Sequence, residues 1–412
     1  MIKERNLLSK VVNHLLKKEY TIIIGARQTG KTTLLKQLFQ ICKNNGDSCY
    51  FLSFEDFTIL NSVNQHPENI FKFVEKTFDN QFTKRLFLFI DEIQYASNPT
   101  NFLKYLYDIY EEKIKIVATG SSAFYIDKRF TDSLAGRKRI FHLKQLNFSE
   151  YLHFRNADEL QNELKLLRNN EDYISIKRND ISYFFEEYLC FGSYPAVVLE
   201  NDREEKIEIL KELKNSFLKK DISEAGVLYE HKFLQLMVLL AEQIGNLVNK
   251  NELANTLGID NKTIENYLNI MQQSFHISLV PPFNNNLRKE ITKMPKIYFH
   301  DLGLRNALLN RFENFVLRND KGALLENYAY IRFVELYGKD NVYFWRTANQ
   351  NEVDFVAKHN NIKSGAYEIK YSEKNINQNK YKIFNELYPE IPLTFITYET
   401  TDNLISKSIL NL

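Results

Sequence analysis

The run Gly25-Ala26-Arg27-Gln28-Thr29-Gly30-Lys31-Thr32 fits the pattern GxxxxGK[ST] in full, directly after the strand-like TIII and directly before a helical pattern. Each residue type has a reason. Glycines let main-chain N–H groups curl around phosphate oxygens, and the following helix adds unpaired N–H groups. Lys31 neutralises the terminal phosphates and the Thr32 hydroxyl can ligate magnesium. Such a loop takes a nucleoside triphosphate, with contacts expected from Gly25, Ala26, Arg27, Gln28, Thr29, Gly30, Lys31, Thr32 and Thr33.

A second element, RLFLFIDEIQ, reads as a strand buried on both faces that ends in Asp91 and Glu92. Ligands of open α/β sheets bind at the carboxyl ends of strands, which puts both acids on the side of the loop. Asp91 is expected to hold magnesium with Thr32, and Glu92 to polarise the attacking water. Either acid taken alone also reads as a helix cap with a dipole-stabilised neighbour. In ATGSS, Thr119, Ser121 and Ser122 either bond the γ-phosphate or its water, with Ser121 counted among the catalytic residues, or cap a helix starting near Ala123. Arg137, after a glycine in SLAGRKRIF, is an arginine finger for this or a neighbouring subunit's nucleotide, or else part of a solvated basic turn with Lys138 and Arg139.

Positioning these residues requires a parallel sheet. Strand-like runs at Thr21–Ile24, Cys49–Phe54, Leu86–Ile90 and Ile114–Thr119 alternate with helical segments at the spacing of βα units, so residues 1–145 are expected to form an α/β domain with helices on both faces. Residues 146–230 carry helical periodicity without a convincing strand and read as a helical lid or connector, in which the charged stretch from Arg155 to Asp180 is expected to be a solvated helical insertion rather than a disordered linker. Residues 231–300 give helix, helix, turn, helix and an apolar run followed by a basic loop, the order of a winged helix-turn-helix. Residues 301–412 return to mixed α and β, with strands near Val342–Trp345, Val353–Ala357, Ala366–Lys370 and Leu393–Thr397.

Composition sets wider bounds. A chain of 412 residues that is 44% hydrophobic and 26% charged can bury several cores, which excludes global disorder. Lys plus Arg (54) balances Asp plus Glu (52), so nucleic-acid affinity has to come from local patches. Cys42, Cys49 and Cys190 form no CxxC pair, and no apolar run approaches a membrane span; both point to a cytoplasmic chain without membrane partners.

The succession GARQTGKTTLL, FIDEIQ, TGSSAF, SLAGRKRIFHLKQLNFSEYL, GSYPAVV, PKIYFHDLGLRNALL, LLENYAYIRF, WRTANQNEVDFVAK and YEIKYS spans nearly the whole chain. It resembles prokaryotic AAA-type ATPases whose C-terminal half is a domain of unknown function with a restriction-endonuclease-like fold. The resemblance implies ATP and magnesium as cofactors, and a nucleotide state used as a switch. It also implies that Glu326, Asp354 and the Glu368-x-Lys370 pair reproduce the E, D, ExK set of that superfamily. Glu368 and Lys370 share one strand face, so a carboxylate and an ammonium can flank one phosphate. Asp354 and Glu368 would then hold a metal with help from Glu326, and Lys370 would orient water. An exposed ion pair at the same spacing is the ordinary alternative.

For double-stranded DNA, the helix after the turn offers Lys262, Thr263, Asn266 and Asn269, and the wing offers Arg288, Lys289, Lys293 and Lys296 against Glu290, while Tyr267 reads as core. The leading expectation is magnesium-dependent ATP hydrolysis coupled to conformational change of a DNA-binding, nuclease-like module. A slow ATP-dependent switch holding a protein partner or a second copy, and an ATP-coupled nuclease, are the alternatives.

Overall fold

The computed structural model describes residues 3–74, 85–120, 134–170, 173–227, 229–284, 293–359, 362–399 and 406–412. They fall into two compact units, one made of residues 1–145 with 273–275 and the other of the remainder.

In the first unit, strands β1 (Tyr20–Ile24), β2 (Ser48–Ser53), β3 (Leu86–Asp91), β4 (Ile114–Gly120) and β5 (Lys138–His142) form one parallel sheet in the order β2-β3-β4-β1-β5. The apolar runs do not alternate with polar residues because both faces are covered. Ile22, Ile24, Leu88, Ile90, Ile116 and Ala118 join one core with Phe102, Leu103 and Leu106 of the helix Pro99–Tyr110. Ile23, Phe87, Phe89 and Val117 face the other, against Leu8 and Val11 of helix Leu7–Leu15 and Leu34, Leu35 and Leu38 of helix Lys31–Asn44. Strand β5 is absent from the sequence expectations. Its residues, Lys138-Arg139-Ile140-Phe141-His142, bury only Phe141 because the strand lies at the sheet edge, so its pattern reads as a basic turn.

The second unit holds two sheets. β6 (Ile277–Val280) and β7 (Lys296–Phe299) form an antiparallel pair that follows the helices Glu230–Glu242, Lys250–Leu257 and Asn261–Gln273. β8 (Val342–Arg346), β9 (Glu352–His359), β10 (Ile362–Ser372), β11 (Leu393–Glu399) and β12 (Ser406–Ser408) are ordered β12-β11-β10-β9-β8, antiparallel from β8 to β10 and parallel from β10 to β12. The helix Lys321–Tyr337 packs on this sheet, with the Phe333 ring 5.2 Å from Phe355 and 4.5 Å from Tyr367. The charged stretch after Phe154 holds a helix, as expected, but is not solvated all round. Its helix Asp158–Asn169 buries Leu160, Leu164 and Leu167 at helical spacing, so the charges are one face of an amphipathic helix. Among the described residues no helix is long and apolar enough to cross a membrane.

The first unit depends on one close approach. The chain leaving β1 at Gly25 runs against the backbone after β5, where the Leu143 N–H donates to the Ile24 carbonyl at 2.7 Å. A Cβ on Gly25 would sit 2.1 Å from the Leu143 carbonyl oxygen. Gly25→Ala is therefore expected to destabilise the unit by about 1–3 kcal/mol, the usual cost of forcing atoms into a packed site. Denaturation followed by circular dichroism reads this, and an unshifted transition would refute the steric account.

Candidate functional site

Three strands bring the loop and the acids together. The loop follows β1, Asp91 closes β3, and β4 lies between them with Thr119 beside Ile23 of β1. Gly30 caps the helix Lys31–Asn44 in the left-handed region at φ +92°, and Gln28 is also left-handed at φ +56°. The chain thereby curls back over the helix start, the shape that presents successive N–H groups to an anion. Lys31 is buried, and its ammonium donates to the carbonyls of Gly25 at 3.0 Å and Ala26 at 2.8 Å. Thr29 donates back to the Ala26 carbonyl at 2.9 Å.

Thr32 Oγ1 donates to Asp91 Oδ1 at 3.2 Å, although the two residues are 59 positions apart. A hydroxyl and a carboxylate meeting beside a buried ammonium are oxygen ligands of the kind magnesium takes, so these residues fit the ion the loop implies. Thr119 bonds both acids. Its hydroxyl donates to Asp91 Oδ1 at 2.5 Å and accepts the Glu92 N–H at 2.9 Å, so it fixes the acids. Glu92 lies outside the strand, in the left-handed region at φ +56° and ψ 53°. Successive strand residues point to opposite faces, and the left-handed step at Glu92 breaks that alternation. Its carboxylate accepts a hydrogen bond from Gln94 Nε2.

Ser121 and Ser122 lie outside the described residues. Arg137 is described and is not at the loop. Its carbonyl accepts the N–H of Tyr20, the first residue of β1, whereas the loop follows the last. Strand β1 is roughly 13 Å long at ~3.3 Å per residue, so the Arg137 main chain sits at the opposite end of the strand from its own chain's loop. There its guanidinium pairs with Asp108 at 2.7 Å. Arg5 went unnoticed in the sequence. It is buried and donates to the Thr29 carbonyl at 2.8 Å and the Lys144 carbonyl at 2.7 Å, tying the loop to the segment after β5. Nothing local distinguishes it from the other charges of the N-terminal stretch.

In the second unit, Glu326, Asp354, Glu368 and Lys370 lie together, but with a group that was expected elsewhere. Lys296, assigned to a DNA-facing wing, is 1% exposed. Its ammonium lies 3.0 Å from Glu326, 2.7 Å from Glu352 and 3.8 Å from Asp354. It cannot lie on a phosphate backbone. Arg288 and Lys289 fall outside the described residues, which leaves Lys293 as the exposed basic residue of the expected wing that is described. Tyr298 donates to Glu326 at 2.6 Å, Tyr381 to Glu368 at 2.7 Å, and Lys370 to Glu368 as well. Asp354 accepts the Ile369 N–H at 2.9 Å. Among the described residues no group of three or more His, Cys, Asp or Glu is arranged to hold a metal ion, so the residues present do not fit the metal that the resemblance implies.

Comparison with known proteins agrees with the first unit's geometry. Residues 17–152 match the model of an AAA domain. Residues 183–314 and 321–410 match two domains of unknown function, DUF8612 and DUF4143. An uncharacterized protein of Methanocaldococcus jannaschii is 28% identical over 364 residues, covering 84% of this chain and 75% of the relative. One of Haemophilus influenzae is 26% identical over 419 residues, covering 98% and 95%. Among solved structures, DnaA of Aquifex aeolicus bound to AMPPCP aligns at TM-score 0.32 and 16% identity over 66% of this chain and 89% of that one. PCH-2 of C. elegans aligns at 0.34 and 13% over 65% and 70%. Alignments this loose transfer nothing about activity.

Burial and the neighbouring Asp354 charge push Glu326 and Glu368 up to about 7 from 4.5. Lys296 and Lys370 move upward too, because the surrounding carboxylates outweigh the burial that would lower them. Both glutamates hold protons in the folded chain at pH values where the unfolded chain has released them. The stability this supplies is complete below about pH 4.5 and is lost as pH rises through about 7. The melting temperature of the second unit, read through its Trp345, the only tryptophan, is expected to fall between pH 5.5 and 8, and to fall less steeply in Glu326→Gln. A rise over that interval would contradict the assignment.

Proposed function

We propose that this chain is a magnesium-dependent ATPase whose nucleotide state governs what its second unit holds. The observation that carries the reading is the meeting of Thr32 and Asp91 at 3.2 Å beside the buried Lys31. Loop N–H groups and the helix start bind the triphosphate, and Lys31 exchanges its loop carbonyls for phosphate oxygens. Bound magnesium supplies positive charge to those oxygens. Thr119 holds Asp91 and the Glu92 main chain in register, and the Glu92 carboxylate orients the water and accepts its proton, with Gln94 steadying it.

A protein partner is favoured over DNA for the second unit. On the helix Asn261–Gln273 the exposed face offers Lys262 and the asparagines Asn261, Asn266 and Asn269, and Glu265 there pairs with Lys250, so the face is close to neutral. With Lys296 buried, the described wing supplies little charge for counterion release.

Lys31→Ala is expected to abolish nucleotide binding by calorimetry. Glu92→Gln should keep ATP binding while kcat falls about 10²-fold or more, the usual contribution of a positioned base; turnover at the parent rate would remove Glu92 from that role. Titration with duplex DNA at low salt should give no binding, and a complex that weakens steeply with added salt would restore the DNA-centred reading.

A further inference from the structure

We propose that the acidic cluster of the second unit carries its own resident cation, the Lys296 ammonium, which occupies the place of a divalent ion and closes the cluster to metal. The E, D, ExK residues that the sequence singled out come together, so the disagreement is not one of missing ligands. It is one of occupancy by the protein itself.

Divalent magnesium or manganese needs several free oxygens and net negative charge. Here most of the oxygens already carry a hydrogen bond or an ion pair. Glu326 Oε1 accepts from Lys296 and Tyr298, and Glu352 is shared between Lys296 at 2.7 Å and Arg346 at 3.0 Å. Glu368 accepts from Lys370, Tyr381 and the Asp354 N–H, and Asp354 from the Ile369 N–H. The charge is nearly spent as well: four carboxylates face Lys296, Arg346 and Lys370.

Lys296 is also not free to leave. It opens β7, paired with Val280 of β6, with its side chain buried and its ammonium over the Phe344 ring of β8 at 5.6 Å. Expelling it would strand a buried charge, which proteins avoid. The residue therefore locks the β6–β7 pair to the sheet β8–β12.

The test uses the full chain without nucleotide, in an Asp91→Asn background that removes the first unit's metal ligand. Manganese is titrated and its free fraction is read by electron paramagnetic resonance, with melting measured alongside. The parent cluster is expected to take up no manganese and to show no metal-dependent rise in melting temperature. Lys296→Met should melt lower and gain one manganese site that Asp354→Asn removes again, while Lys296→Arg, which keeps the charge, should gain none. Stoichiometric manganese uptake with Lys296 intact, lost on Asp354→Asn, would overturn the proposal, and so would a Lys296→Met variant that melts like the parent. Should Lys296→Met fail to fold, the parent titration and the Lys296→Arg variant decide the matter alone.

Discussion

An ammonium group taken out of water has to be met by oxygen atoms, and this chain answers that constraint in three ways. Lys115 is fully buried and donates to the main-chain carbonyls of His14 and Lys17, at 2.9 and 3.1 Å, and of Glu19. Neutral dipoles do not hold its charge, and burial pulls it down to about 7. Lys296 meets carboxylates and moves the other way. Lys31 also donates to carbonyls, but within the loop proposed to take a triphosphate, where phosphate oxygens would replace them. The first lysine holds a fold, the second holds two elements together, and the third is kept ready for a ligand.

The architecture around Lys31 follows from burial of the sheet on both faces. Because β4 separates the loop strand from the acid strand, a side chain of β4 has to fill the gap, and Thr119 does so by bonding Asp91 and the Glu92 main chain. Arg5 closes the loop from behind with bonds to Thr29 and Lys144. The site is therefore held by residues from the N-terminal stretch, the loop and two strands, with no single motif sufficient.

The legible parts of the sequence were those with a local cause. Continuous apolar runs marked β1, β3 and β4 because both faces are covered, and the loop motif marked its own glycines and lysine. Parts whose meaning is set by distant partners were not legible. Strand β5 looks like a turn because only one of its residues is buried. Lys296 looks like a wing residue because its sequence neighbours are basic, and only the approach of Glu326 and Glu352 makes it an interior ion. The stretch after Phe154 looks solvated until three leucines are seen to share a buried stripe. Arg137 follows a glycine in a basic segment, and nothing local says to which end of the sheet it belongs.

The left-handed backbone at Glu92 draws two demands onto one position. Non-glycine residues in that region cost of order 1 kcal/mol, and glycine would relieve the strain while deleting the carboxylate. On the role proposed for Glu92, selection for a sturdier fold and selection for turnover would thus pull against each other at a single codon. Compensation has to come from the neighbours, which makes Thr119 and Gln94 the sites where gains and losses of fitness at Glu92 would be balanced.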